Sequence, residues 1–132
     1  MKTLKVAVIP GDGIGREVTP EGQRVLEAAA KRYEFQISWT EYDWSCDYYL
    51  KHGRMMPKDG VDQLVGFDAI YLGAVGWPTV PDHISTWDLI LKLRRGLGLY
   101  VNLRPARLLK GITSPLAGRG MKDIDFVIVR EN

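Results

Sequence analysis

Cysteine occurs once in this 132-residue chain, at Cys46. A single thiol excludes an internal disulfide framework and any cysteine-rich zinc site. Histidine is almost as scarce. His52 and His83 stand 31 positions apart, so no local pair is spaced to ligate a metal. No apolar run approaches the roughly 20 residues of a membrane span. The apolar run near the amino terminus, Val6–Ile9 before Pro10, is too short for a signal peptide. Excess charge is missing too: 18 basic against 16 acidic residues leave +2, too mild to announce a nucleic-acid partner from the total. These absences imply a chain with no membrane and no nucleic-acid partner, working in a reduced compartment, the cytoplasm. What is present suits a folded domain. The length is that of one ordinary domain, and 45% of residues are apolar, enough for a sizeable core.

Leu4–Ile9 is β-branched and nearly all apolar, the habit of a parallel strand buried on both faces. Pro10–Gly15 interrupts it with a glycine-rich turn. Arg16–Tyr33 reads as a helix, with Val18, Val25, Leu26, Ala29 and Tyr33 at helical spacing and Pro20 tolerated near the first turn. Glu27 and Lys31 form a well-oriented i,i+4 pair. Phe35–Thr40 alternates like a strand with one polar face. Short helices are expected over Asp47–His52 and Pro57–Val65, and a third strand over Asp68–Val75. Gly76–Ser85, with Pro78 and Pro81, reads as a loop. Ser85 is placed to cap a helix reaching about Leu97, with Asp88 completing a capping box. Tyr100–Arg104 is a fourth strand ended by Pro105, Lys110–Lys122 a loop, and Ile124–Val129 a last strand. Strands alternating with helices point to an α/β open sheet with flanking helices.

Gly11, Gly13 and Gly15 follow a strand and open a helix, the setting of a phosphate-cradling loop. The dinucleotide fingerprint needs its third glycine at the sixth position, where this chain has Arg16. A P-loop fails as well, because no Gly-Lys-Ser/Thr follows. Two readings stay open: a tight structural turn, or a ligand-facing turn of non-standard kind.

Charge distribution is more informative. From Leu89 to Lys122, 34 residues, there is no Asp or Glu, while eight positions are Lys or Arg. Such a stretch implies an anionic partner or a distant acidic surface. Trp87, Ile90, Leu91 and Arg94 follow i, i+3, i+4, i+7, which puts Arg94 on the apolar face of its helix. Arg104 and Arg130 lie at strand ends, and ligands gather at the carboxyl ends of strands in open α/β sheets. A guanidinium fork grips a carboxylate in a bidentate way that lysine does not reproduce. Lys92, Arg95, Lys110 and Arg119 read as solvated charge. Nucleic-acid binding would want aromatic stacking platforms among the basic residues, and the stretch holds only Tyr100.

Val8–Val18, Asp68–Gly76, Tyr100–Pro105 and Val129–Asn132 together resemble the metal-dependent decarboxylating dehydrogenases of 2-hydroxy acids: the isocitrate, isopropylmalate, tartrate and D-malate dehydrogenases. Gly76–Pro78, Val80–Ser85 and Trp87 resemble the tartrate and D-malate branch. Isocitrate-type members carry a hydroxylic residue on the following helix, where this chain has bulky Trp87 and Ile90. Isopropylmalate-type members show a different turn and an acidic residue near position 87.

The resemblance implies an isopropylmalate-dehydrogenase-like fold, with residues 1–99 part of a first domain and 100–132 the start of a second. It implies that Arg94, Arg104 and Arg130 clamp the carboxylate of a small dicarboxylate substrate. Ile14 and Gly76, with the loop from Gly73 to Thr86, would lie near an NAD cofactor. The family oxidises the C2 hydroxyl, and a divalent metal, magnesium or manganese, then assists loss of carbon dioxide. The family's catalytic tyrosine and lysine and its metal-binding aspartates have no counterpart before Asn132. The chain therefore reads as the N-terminal piece of a longer, homodimeric enzyme, inactive by itself. The alternative is a noncatalytic fragment or a stand-alone anion-binding module.

Overall fold

The computed structural model describes residues 2–132, which fall into two compact units, one ending at Leu97 and one running Gly98–Asn132. The first is built on three parallel strands: β1 (Thr3–Gly11), β2 (Gln36–Glu41) and β3 (Ala69–Ala74), in spatial order β2-β1-β3. The continuous apolar run makes β1 the central strand, with Val6, Ala7, Val8 and Ile9 all buried. Its register sets Val6 against Trp39 on one side and Ala69 on the other.

Helix α1 (Gly15–Arg32) returns the chain from β1 to β2. Its buried positions are Gly15, Thr19 and Ala30, whereas Val18, Val25 and Tyr33 are exposed. The helical spacing of those apolar residues identified the helix but not its inner face. Small residues line that face because the strands are close: a Cβ on Gly15 would overlap the Pro10 carbonyl, and one on Gly22 the Tyr71 hydroxyl. Helix α1 starts one residue earlier than expected, so Pro20 is its sixth residue, in the second turn and on its exposed side. Glu27 takes the indole N–H of Trp39 at 3.2 Å instead of pairing with Lys31.

Two short helices, α2 (Cys46–His52) and α3 (Gly60–Leu64), fill the crossover from β2 to β3. Ser45 caps α2 by accepting from the Tyr48 N–H at 3.1 Å, and Gly53 closes it in the left-handed conformation. The core gathers Ile9, Met55, Met56, Leu64 and Leu89, each essentially without solvent contact. Side chains of this size contribute about 1.5–3 kcal/mol each on burial.

After β3 the helical segment begins earlier than expected and in a different phase. It comprises α4 (Asp82–Ser85), a π-helical stretch over Thr86–Leu91, and α5 (Lys92–Gly96). Ser85 is not its cap: it lies buried inside the segment and donates to the Asp82 carbonyl at 3.1 Å. Pro81, whose missing N–H costs nothing there, precedes the first turn. The wide π turns hold residues four apart on one face, so Ser85, Leu89 and Leu93 are buried. Trp87, expected on the apolar face, is 58% exposed.

The second unit is a separate antiparallel ribbon of β4 (Val101–Arg107) and β5 (Asp125–Glu131), not a continuation of the parallel sheet. Pro105 does not end β4. The ladder runs from the Asn132 N–H on the Tyr100 carbonyl to the Leu108 N–H on the Ile124 carbonyl. That phase puts Pro105, opposite Val127, in a non-hydrogen-bonded pair, where a proline needs no N–H.

Candidate functional site

The carboxyl edge of the parallel sheet collects three turns: Gly11–Ile14 after β1, Tyr42–Ser45 after β2 and Val75–Trp77 after β3. One side chain ties them together. Asp12 is 3% exposed, and its Oδ2 accepts from the backbone N–H of Cys46 at 3.0 Å and of Gly76 at 3.2 Å. Its Oδ1 takes the Asp47 N–H at a longer 3.4 Å. Around the same turn, Arg16 donates from Nε to the Gly11 carbonyl at 3.2 Å and pairs with Asp47. Sequence reasoning missed Asp12, because an aspartate between glycines looks like a solvated turn residue.

This geometry decides between the two readings of the glycine turn at most of its positions. Gly11 adopts φ +76° and, like Gly15, has β3 backbone where a Cβ would stand. Both serve the packing of turn against strand. Gly13 faces open space, and Ile14 is 64% exposed beside it. Gly76 is exposed at the same edge and opens a cleft of about 540 Å³ lined by Trp77, Pro78, Val80, Pro81 and Asp82.

Cys46 also belongs to this hub. Burial, followed by the hydrogen bond and charge of Asp12, pushes its thiol up from 9.0 to about 12. A raised pKa favours the protonated folded form. The stability it gives is complete below about pH 9 and is lost as pH rises toward 12, because the unfolded thiol ionises first. Denaturant melts of this chain and its Cys46→Ala variant at about pH 8 and about pH 11 test this. The parent is expected to lose more stability over that interval than the variant. Equal losses would mean that the thiol titrates normally.

The acid-free stretch divides between the two units. Arg94 lies in α5, half-buried, next to the core residue Leu93. Its apolar-face position has to be revised with the helix phase, since Leu89 and Leu93 carry that face. Arg95 stacks over the Trp87 ring at 5.5 Å and is not simply solvated. Arg104 and Arg130 come together within the ribbon. Arg104 is in the middle of β4, opposite Ile128, and Arg130 is opposite Asn102. Paired residues share a face and alternate along a strand, so Asn102, Arg104 and Arg130 project from one side as direct and diagonal neighbours. Arg104 is thus not at a strand end, and the carboxyl-edge rule for parallel sheets does not apply to it. Among the described residues, Arg94, Arg104 and Arg130 have no acidic partner, whereas Arg107 reaches Asp125 at 3.7 Å and Arg119 reaches Asp123 at 3.6 Å.

A parallel βαβ unit with a tied carboxyl edge, joined in sequence to an antiparallel ribbon in which Arg104 and Arg130 have no acidic partner among the described residues, defines a mixed α/β protein. The model of the isocitrate/isopropylmalate dehydrogenase family matches residues 5–132, and the chain belongs to that family. It is 61% identical over 134 aligned positions to the decarboxylating D-malate dehydrogenase of Escherichia coli K12, covering 100% of this chain and 37% of that protein. It is 57% identical over 132 positions to a tartrate dehydrogenase/decarboxylase of Pseudomonas putida, covering 98% of this chain and 36% of that one. An isocitrate dehydrogenase structure from Methylococcus capsulatus matches with a TM-score of 0.76 and 28% identity, over 100% of this chain and 35% of that one. A β-decarboxylating dehydrogenase from Thermococcus kodakarensis matches with a TM-score of 0.68 and 36% identity, over 98% of this chain and 34% of that one. The chain spans little more than a third of the length of these relatives.

Proposed function

We propose that this chain forms the N-terminal third of an NAD- and divalent-metal-dependent oxidative decarboxylase of a 2-hydroxy diacid, D-malate or tartrate. The observation that carries this reading is the 61% identity, across the whole chain, to a decarboxylating D-malate dehydrogenase. In this reading Arg94, Arg104 and Arg130 bind the substrate carboxylate. The free guanidinium groups of Arg104 and Arg130 on one ribbon face support the assignment. Residues 1–99 belong to a first domain and 100–132 open a second. The longer protein works as a cytoplasmic homodimer, a reading that rests on kinship.

The residues of the carboxyl edge fit part of NAD. Exposed Ile14, Gly76 and the cleft wall of Trp77, Pro78 and Pro81 offer apolar and backbone surface for a flat ring. Among the described residues no cationic side chain lines that cleft to hold a diphosphate. When bound, NAD accepts the hydride that leaves C2 of the substrate. The metal does not find a fit here: among the described residues no group of three or more His, Cys, Asp or Glu side chains is arranged to hold one.

What these residues do is bind and orient. Charge-assisted, forked hydrogen bonds from the arginines fix the carboxylate and so set the direction in which the C2–H bond faces. Asp12 keeps the Gly76 turn in place without reorganisation at the moment of reaction. Overall, the substrate would give up a hydride from C2 and one carbon as carbon dioxide, leaving a keto acid. The test is NADH formation by the longer protein with D-malate, tartrate, isocitrate and isopropylmalate in turn. Turnover of D-malate or tartrate is expected, and failure with every 2-hydroxy diacid would overturn the reading.

A further inference from the structure

The arginine face of the ribbon also carries an acceptor whose orientation is fixed by its neighbours. Asn132 donates from Nδ2 to the Leu99 carbonyl at 2.6 Å. A backbone carbonyl only accepts, so this contact settles which way the Asn132 amide is turned. Its Oδ1 then faces Asn102 and accepts from the Asn102 Nδ2 at 3.1 Å. That bond in turn settles the Asn102 amide: Nδ2 is committed to Asn132, and Oδ1 is left over. No hydrogen bond engages Asn102 Oδ1 among the described residues. Asn102 stands directly opposite Arg130 and two residues before Arg104, on the face that both share. It is half-buried there.

The chemistry of this face is lopsided without Asn102. Guanidinium groups only donate, and they match carboxylate oxygens. A hydroxyl beside a carboxylate has a proton to give and finds no acceptor in Arg104 or Arg130. The carbonyl oxygen of Asn102 supplies it. We propose that Asn102 is a specificity-determining residue that accepts a hydrogen bond from the hydroxyl next to the arginine-held carboxylate, so that the face prefers hydroxylated diacids over plain ones. The proposal rests on the reading that this face takes the dicarboxylate. Asn132 is the positioning residue: by taking the Asn102 Nδ2 hydrogen it leaves the Asn102 oxygen as the available acceptor.

Steady-state kinetics of the longer protein separate this role from a structural one. Asn102→Leu keeps the branched shape of the side chain and removes the acceptor together with the amide donor to Asn132. It is expected to lower kcat/KM for D-malate and tartrate about tenfold or more, while the inhibition constant of succinate, which lacks the hydroxyl, stays within about twofold. Asn102→Ala, which adds no bulk to the ribbon, is read by the same ratio. Parallel losses for hydroxylated and plain diacids in both variants, or no change for either, overturn the proposal. Absence of turnover by the unaltered protein with every hydroxy diacid is a different failure. It removes the proposed function and this assignment with it.

Discussion

Replacing Arg104 by lysine in the longer protein is expected to lower kcat/KM for the diacid by one to two powers of ten. The expectation follows from what the substitution preserves and what it removes. Charge and reach are kept, but the planar fork is lost, and with it one of two parallel charge-assisted bonds to a carboxylate. Bonds to charged groups contribute about 1.5–3 kcal/mol each. Arg104 is exposed in mid-strand and has no acidic partner among the described residues, so no fold contact depends on its fork. Stability should therefore move by less than about 0.5 kcal/mol. Kinetic loss with an unchanged melt marks a binding residue. Unchanged kinetics would remove Arg104 from the site, whatever the family relationship.

The second large effect is on stability. Asp12→Ala removes the carboxylate that holds the N–H groups of Cys46 and Gly76, with Asp47 more distant, and leaves those donors unpaired beside a packed core. The expected cost is about 3–5 kcal/mol, a large part of a domain's usual margin. Asp12→Asn is the informative companion. Both close bonds end on the same oxygen, Oδ2, so an asparagine that places its carbonyl there retains them and turns its amide toward Asp47. Its cost should be near 1–2 kcal/mol, roughly that of the remaining weak contact and the lost charge. Denaturant midpoints order the three proteins as native, Asn, Ala. An alanine variant as stable as the asparagine variant would show that the hub does not hold the edge. Amide exchange at Gly76 reads the same question locally, with faster exchange expected in Asp12→Ala.

The outline of the fold was legible because local signals agreed. The apolar run over Leu4–Ile9, the glycine turn and the periodicity after Arg16 all indicated β1 and α1, and the boundaries came within a residue or two. What escaped depends on distant partners or on an unusual turn. Asp12 acts in the fold through Cys46, Asp47 and Gly76, which lie 34, 35 and 64 positions away, and no window of sequence connects them. The π-helical stretch Thr86–Leu91 breaks the period on which the face of Arg94 and Trp87 was reasoned. Pro105 misled for a similar reason: proline ends a strand only where its N–H would be needed, and ladder phase is not written in one strand's sequence.

The candidate site was legible in a different way. Absence of acids around Arg104, seen in sequence, corresponds to the lack of an acidic partner for Arg104 among the described residues, while Arg107 in the same strand pairs with Asp125. The shared face of Arg104 and Arg130 follows from a register that pairs Asn102 with Arg130, and only the structure supplies it. Without that register nothing marks Asn102 as a neighbour of Arg130. Asparagine in a strand carries no charge and no motif, and its acceptor becomes visible only once Leu99 and Asn132 fix its amide.

The most direct test is the stoichiometry of D-malate oxidation by the longer protein. NADH and carbon dioxide, measured in one reaction, are expected in equal amounts. NADH without carbon dioxide would make the protein a simple dehydrogenase, and neither product from D-malate or tartrate would contradict the proposed function altogether.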